Sequence, residues 1–165
     1  MNTKYCLDTP ESFIDNSNLV SNSWFTGFTE SDGHFGIKYT EKKKDKSDTR
    51  KRSVSESVTL KFILNKRSFD KPTSSSMKHF MESLALFLSC NLTSYTDNRN
   101  SEILCVSVSS LDSVKFLLNY FNEYPLIGDK LYDFKKWEIV YDIMIKKEHF
   151  TDKGRLAIRS LIGKL

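Results

Sequence analysis

The feature that most constrains the fold is a change of hydrophobic period directly before residue 34. Up to Ser31 the apolar residues follow helical spacing, which predicts a helix from Asn18 to Ser31. From His34 to Thr40 apolar and polar residues alternate, which predicts a strand that is buried on one face. We therefore expect a helix that passes almost directly into a strand.

Two acidic residues lie at the end of this predicted helix. Glu30 and Asp32 oppose the helix dipole there, so their position costs stability unless they have another use. Carboxylate oxygens are preferred ligands of hard cations, and metal binding is the natural candidate for that use. The alternative is an ordinary helix end that stops at Gly33. The residues alone leave both interpretations open.

The remaining hydrophobic patterns predict a regular order of elements. Residues 54–65 alternate like the first strand, so the two strands are predicted to form a hairpin whose loop is rich in basic residues. The further predicted elements are a helix over Met77–Leu88, strands over Leu92–Thr96 and Ile103–Ser109, and helices that begin at Ser110, near Lys130 and at a cap on Thr151. The order αββαββα(α) predicts an α+β fold, with helices on one face of a four-stranded antiparallel sheet.

Length and composition fit one packed domain. The chain has 165 residues, of which 39% are hydrophobic and 13% aromatic, which is enough for a core. Residues 1–19 are polar and are predicted to form an N-terminal arm or linker, and residues 20–165 a single domain.

The three cysteines show no metal-binding spacing, so we do not expect a zinc site. There is no run of eighteen apolar residues, so we do not expect a membrane partner.

Positive charge is concentrated in one part of the chain. Between residues 38 and 71, twelve Lys and Arg residues stand against five Asp and Glu residues, whereas the whole chain has a net charge of +4. Such a cluster suggests a face that binds a polyanion, and the alternative is a solvated surface without a partner.

The sheet face opposite the helices is the candidate for that binding surface. It is predicted to be polar and basic, and Lys, Arg, Asn and Thr side chains on a β-ribbon can reach base edges in the major groove of DNA. Antiparallel sheets also commonly leave one polar face to water. The residues predicted to contact DNA are Lys38, Thr40, Lys42, Arg50, Arg52, Thr59, Lys61, Lys66 and Arg67.

Three segments resemble a known family. The nonapeptide FTGFTESDG at residues 25–33 is similar to the signature of the LAGLIDADG homing endonucleases and maturases. The segments NYFNEYPLIGDK at 119–130 and KKEHFTDKG at 146–154 resemble fungal mitochondrial, intron-encoded members of that family, and they occur in the same order. The resemblance covers roughly residues 20–160 and implies the element order derived above.

The resemblance also implies roles for particular residues. It implies that Asp32 coordinates Mg²⁺ and that the motif helix packs against a second copy of itself through Gly27, Phe28 and Ser31. It implies that Lys130 lies near the phosphate to be cut, whereas on sequence alone Lys130 could equally be a solvated helix-start residue. Asn65 stands where the family often has a glutamine that positions water, and this shorter amide implies reduced activity.

Three functions are compatible with these residues. The first is a site-specific double-stranded DNA endonuclease of an intron, which uses Mg²⁺ to hydrolyse phosphodiester bonds and acts in the mitochondrial matrix. The second is an RNA maturase that helps to splice its own group I intron and does not need Asp32. The third is a DNA-binding regulator. With one motif in the sequence, the resemblance implies either a homodimer or the C-terminal half of a two-motif protein.

Overall fold

The computed structural model describes residues 21–41, 56–70, 72 and 74–163. In these residues the helices are α1 (Trp24–Asp32), α2 (Lys78–Phe87), α3 (Leu111–Glu123), α4 (Asp129–Ile145) and α5 (Asp152–Leu161), with a short 3₁₀ helix at Glu148–Phe150. The strands are β1 (Gly33–Thr40), β2 (Ser57–Arg67), β3 (Phe69–Asp70), β4 (Ser75–Ser76), β5 (Leu92–Thr96) and β6 (Glu102–Val108).

The main sheet has four antiparallel strands in the order β1-β2-β6-β5. In the pairing of β1 with β2, Lys38 lies opposite Thr59 and Gly36 lies opposite Lys61. This register keeps the apolar residues of both strands on one face, as the alternation in the sequence predicts. Leu60, with its even-numbered neighbours in β2, faces the helices and is buried. The predicted α+β fold with one helical layer is therefore confirmed.

Most predicted element ends agree with the structure, and two features differ. The first helix begins at Trp24, later than predicted, and the Asn22 Oδ1 atom accepts a hydrogen bond from the Trp24 amide at its start (2.9 Å), while Asn18 lies outside the described residues. The strands β3 and β4 form a small hairpin that the sequence pattern did not predict. The boundary at residues 19 and 20 lies outside the described residues.

The predicted helix start at Ser110 and the predicted cap on Thr151 agree with the structure. The Ser110 hydroxyl accepts a hydrogen bond from the Ser113 amide at the start of α3, and the Thr151 hydroxyl accepts one from Gly154 at the start of α5. These bonds satisfy amides that have no partner within the helix. None of the described helices is both long and apolar enough to cross a bilayer.

Aromatic rings fill the core between the sheet and the helices. Phe25 of α1 is fully buried, and its ring centroid lies 5.3–6.0 Å from four other rings. These rings belong to Phe62, Phe87, Tyr120 and Phe121. The motif helix is thus a central part of the core.

Hydrogen bonds to the end of α3 fix the position of α1. The Thr26 hydroxyl donates to Tyr124 O (2.8 Å), and the Tyr120 hydroxyl donates to Asn22 O (2.6 Å). Burial raises the pKa of the Tyr120 hydroxyl, so this group remains a donor at neutral pH. The polar Thr26 is therefore compatible with a buried position in the motif helix.

We expect Gly154→Ala to destabilise the protein by about 1–3 kcal/mol. A β-carbon on Gly154 would lie 2.1 Å from Glu148 O and 2.6 Å from Glu148 C, which are backbone atoms that cannot rotate away. Denaturant unfolding measures the change. Gly36→Ala is the matched control, because its β-carbon would meet no atom closer than 3.4 Å. Equal unfolding midpoints for the two variants would contradict this packing argument.

Candidate metal and nucleic-acid site

The candidate site begins at the junction of α1 and β1. Asp32 is the last residue of α1, and Gly33 is the first residue of β1. A β-carbon on Gly33 would lie 2.6 Å from Thr29 Cγ2 and 2.9 Å from Thr29 O, so a larger residue does not fit here. The glycine therefore allows the helix to pass into the strand without a loop, and this fixes the Asp32 carboxylate at the edge of the domain.

Lys66 is the direct partner of Asp32. The Lys66 Nζ atom lies 2.7 Å from Asp32 Oδ2, and the two side chains are 31% and 25% exposed. The same ammonium lies 5.1 Å from the centroid of the Phe28 ring, which holds the lysine stem against α1. The Asp32 carboxylate is thus partly buried and already pairs with a cationic side chain.

Lys130 approaches the same junction from the other side. It lies in the first turn of α4, and its Nζ atom donates a hydrogen bond to Gly33 O. The structure therefore brings Asp32, Lys66 and Lys130 to one place, with the two ammonium groups around the helix end.

Glu30 has a different role from Asp32. Its Oε1 atom accepts hydrogen bonds from the amides of Ile127 (2.6 Å) and Gly128 (2.9 Å), directly before α4. A carboxylate at a helix N-terminus satisfies free amides and interacts favourably with the helix dipole. Glu30 therefore positions the start of α4, and with it Lys130.

Asn65 and Lys66 lie on opposite faces of β2. Successive side chains of a strand point to opposite faces, so Asn65 lies on the open face of the sheet and Lys66 on the helical face. Asn65 is exposed and pairs with Cys105 of β6. Its predicted role in positioning water stays a prediction, and the residue of β2 that contacts Asp32 directly is Lys66.

The open face of the sheet carries most of the described residues that were predicted to contact DNA. Register places on it Lys38, Thr40, Thr59, Lys61 and Arg67. None of the strand residues that register places on this face, in the described part of the sheet, is an Asp or a Glu. Lys66 lies on the opposite face, and Lys42, Arg50 and Arg52 fall outside the described residues. The face therefore has a positive character near its β1–β2 side.

The outer face of α1 consists of small residues next to aromatic ones. Gly27 and Ser31 are exposed, and no atom lies within 4 Å of a β-carbon built on Gly27. Phe28 is partly buried, and its ring stacks on Trp24, which is 41% exposed, at 5.1 Å between centroids. At Gly27 this face is free of contacts with the described residues of the chain, and it can come close to another helix.

The residues present fit a magnesium ion only as part of a shared site. Mg²⁺ usually binds through one or two carboxylates, with waters and phosphates as its other ligands, and Asp32 offers one carboxylate. No group of three or more His, Cys, Asp and Glu residues within the described ranges is placed to hold a metal ion. Further ligands would have to come from a nucleic acid, from water or from a second domain.

Fold and site together define a class of protein: an α+β domain with an acidic helix end, two adjacent lysines and a basic open sheet. The model of the LAGLIDADG endonuclease family matches residues 25–141. The chain belongs to this family.

Two fungal relatives agree with this assignment. The chain is 30% identical over 104 residues to the probable intron-encoded DNA endonuclease aI1 of Mycosarcoma maydis, a match that covers 63% of this chain and 84% of that protein. It is 25% identical over 141 residues to the probable intron-encoded endonuclease 3 of Neurospora crassa, a match that covers 86% of this chain and 24% of that protein. The chain thus spans about a quarter of the Neurospora relative.

Solved structures show the same fold. I-SmaMI bound to an uncleaved DNA target in the presence of calcium ions is 26% identical, with a TM-score of 0.67, and the match covers 98% of this chain and 50% of that chain. The LAGLIDADG homing endonuclease I-LtrWI bound to its target DNA is 25% identical, with a TM-score of 0.66, and the match covers 99% and 49%. This chain therefore corresponds in length to about half of each of these proteins.

Proposed function

We propose that this protein is a site-specific double-stranded DNA endonuclease that hydrolyses phosphodiester bonds with Mg²⁺. The observation that carries the proposal is the group of Asp32, Lys66 and Lys130 at the end of the motif helix, beside a sheet whose open face is basic. Family membership and the DNA-bound structures of I-SmaMI and I-LtrWI support the same conclusion.

In this proposal Asp32 is the residue that holds the metal ion. Bound Mg²⁺ supplies a Lewis acid that activates water and stabilises negative charge on the phosphate. The direct passage from α1 to β1 fixes the Asp32 carboxylate, so little conformational freedom is lost when the site assembles. Asp32 Oδ2 is paired with Lys66 in the structure, so a metal ion held by this carboxylate would compete with the lysine for the Oδ2 atom.

The two lysines stabilise the phosphate during the reaction. Negative charge develops on the phosphate oxygens and on the leaving oxygen, and a fixed ammonium group nearby lowers the energy of that state. Lys130 is held by α4, whose start is capped by Glu30, while Lys66 is held along the Phe28 ring. Asn65 keeps its predicted role in positioning water and lies on the open face, where the DNA is expected to bind.

The basic open face holds the DNA. Lys38, Lys61 and Arg67 contact phosphates or base edges, and Thr40 and Thr59 add short hydrogen-bonding groups between them. The predicted contacts of Lys42, Arg50 and Arg52 belong to the same proposal. Binding should weaken steeply as salt rises, because each neutralised phosphate releases counterions.

A cleavage assay tests the proposed function. The full chain is incubated with a randomised duplex library in magnesium buffer, and the cut products are sequenced. We expect cutting at one short, defined site, with a stagger between the two strands, and no cutting when EDTA removes the metal. Intact DNA in magnesium, or cutting without sequence preference, would contradict the proposal.

We further propose that the outer face of α1 pairs with the same helix of a second LAGLIDADG domain. One Asp32 supplies one carboxylate, and cutting two strands requires two sites. The exposed Gly27 and Ser31 allow close approach of the two helices, with Phe28 beside them. The match to half of I-SmaMI supports a partner of similar size, which is either an identical chain or another half-protein.

We expect Gly27→Leu to weaken this pairing by about tenfold or more, since overpacking a close interface costs about 1–3 kcal/mol. Sedimentation equilibrium of the isolated chain gives the dissociation constant. Lys115→Leu adds a leucine to an exposed position of α3 and is the matched control. A wild-type chain that remains strictly monomeric would exclude the homodimer.

We propose that the protein originates from a mitochondrial intron and acts in the mitochondrial matrix. The names of its relatives describe intron-encoded endonucleases, and a further relative from Schizosaccharomyces pombe, 24% identical over 147 residues, is an uncharacterised cox1 intron-2 protein. Detection of the protein in purified mitochondria by a specific antibody tests this location.

A further inference from the structure

Among the residues that the structure describes, no third strand lies beside part of the predicted DNA-binding face. β2 pairs with β6 from Phe62 to Arg67, whereas the described partner of its residues 57–61 is β1. We call residues 36–40 and 57–61 the overhang. It carries Lys38, Thr59 and Lys61 on its open face. A two-stranded ribbon is only marginally stable by itself, and the overhang is supported from the helical side, where Leu60 and Tyr39 are buried.

Two ion pairs connect the outer end of the overhang with α5. Arg155 Nη2 lies 3.0 Å from Glu56 Oε2, and Arg159 Nη2 lies 3.3 Å from Glu41 Oε1. Glu41 follows β1 and Glu56 precedes β2, so these acids stand on the two strands at the outer end of the ribbon. The pairs therefore fix both strands from the helical side.

A buried tyrosine links the two ion pairs. The Tyr39 hydroxyl donates a hydrogen bond to Glu56 Oε1, and the Arg159 guanidinium lies 5.4 Å from the centroid of the Tyr39 ring. Tyr39 is 6% exposed. Burial and the neighbouring Glu56 raise the pKa of the Tyr39 hydroxyl, so it remains a donor at neutral pH. The pairs thus form a connected network and are not isolated surface contacts.

The network is separate from the site around Asp32. Arg155 and Arg159 lie on α5, and the acids they meet lie at the other end of β1 from Gly33. Ile158, which is fully buried and lies between these arginines in the sequence, anchors α5 in the core. Helix α5 therefore connects the core, through Ile158, with the outer end of the ribbon, through the two ion pairs.

From this geometry we propose that α5 is a brace for the DNA-binding ribbon, and that Arg155 and Arg159 are positioning residues for target recognition. The proposal rests on the proposed function, since the overhang is expected to bind DNA. The two arginines hold Glu56 and Glu41, and so they fix the position of the overhang in the free protein. The side chains of Lys38, Thr59 and Lys61 are then already oriented for DNA binding. A pre-organised ribbon loses less conformational freedom on binding, so it binds its target more tightly.

Glu56→Gln is the decisive variant, because two explanations predict opposite results. The glutamine can still accept the hydrogen bond from Tyr39 but loses the ion pair with Arg155. If these groups acted only through overall charge, removing an acid would strengthen DNA binding. If α5 is a brace, the variant should bind its target about three- to tenfold more weakly, as expected for the loss of a partly buried ion pair.

Amide hydrogen exchange of the full chain without DNA tests the brace independently of nuclease activity. We expect amides of the overhang to exchange about three- to tenfold faster in Glu56→Gln and Arg155→Gln, while those of β5 and β6 keep wild-type rates. Lys153→Gln is the matched control, since Lys153 is an exposed residue of α5 without an ion pair among the described residues. It should leave exchange unchanged.

The DNA measurement uses the duplex recovered from the randomised library, in calcium buffer, with an unrelated duplex of equal length as the reference. Weaker binding of Glu56→Gln to the recovered site, with unchanged affinity for the unrelated duplex, supports the brace. The brace is overturned if Glu56→Gln binds the recovered site as tightly as the wild type or more tightly. It is also overturned if amide exchange in the overhang stays at the wild-type rate, or if exchange becomes faster to the same extent in all strands. A wild-type chain that selects no site contradicts the proposed function instead, and the exchange experiment still decides whether α5 supports the ribbon.

Discussion

Asp32→Asn should reduce magnesium-dependent cleavage by at least about 100-fold, comparable to the loss of a strong electrostatic group in other active sites. The asparagine keeps the shape of the side chain but carries no negative charge, so it is a poor ligand for Mg²⁺. The measurement is the single-turnover cleavage rate on the selected target at saturating protein.

Binding of the same target in calcium should survive this substitution. Loss of the Asp32 carboxylate releases Lys66 from its ion pair, and the free ammonium can then approach a phosphate. The DNA affinity of the Asp32→Asn variant should therefore equal or exceed that of the wild type. This separation of cutting from binding distinguishes a metal ligand from a residue that only supports the fold.

Asp133→Asn is the control for this experiment. Asp133 lies on α4, and its ion pair is with Lys136, at 3.5 Å, so its loss should leave cleavage unchanged. Wild-type cleavage by Asp32→Asn would contradict the proposed mechanism. If wild-type protein and the Asp32→Asn variant both assist intron splicing and neither cuts DNA, the maturase hypothesis is correct.

The fold was predictable because its elements have clear periods. The alternation of residues 57–65 indicated the buried face of β2, because apolar side chains on one face of a strand pack against the core. The buried face of α1 was not predicted, since it includes the polar Thr26 and Thr29. The helix start at Ser110 and the cap at Thr151 were also predictable, because a side-chain cap binds an amide only three residues further along the chain. The hairpin of β3 and β4 was missed, because two-residue strands have no measurable period.

The site was only partly predictable, because its contacts join distant parts of the chain. The motif identified Asp32, and its resemblance to the family identified Lys130, but neither gives the partners of these side chains. The ion pair with Lys66 could have been predicted from the alternation of side chains along β2. Because Leu64 is buried, Lys66 must lie on the same helical face and Asn65 on the open face. The bonds from Glu30 to the start of α4 and the network on α5 have no local signal.

Phe25→Ala should have the largest effect on stability, a loss of about 3–5 kcal/mol. Phe25 is fully buried, and four aromatic rings surround it, so truncation leaves a cavity that these rings cannot fill without losing their mutual contacts. Denaturant unfolding measures the loss. Phe150→Ala is the matched control, because Phe150 is 62% exposed and its removal should cost less than about 1 kcal/mol.

The comparison of Phe25→Ala with Asp32→Asn separates the two functions of α1. Phe25 lies on the side of the helix that fills the core, while Asp32 lies at its end and takes no part in that packing. Phe25→Ala should therefore lower stability and cleavage together, and lowering the temperature should restore part of the cleavage. Asp32→Asn should lose cleavage at every temperature at which the chain is folded. If cooling restored the activity of Asp32→Asn as well, Asp32 would be a structural residue and not the metal ligand.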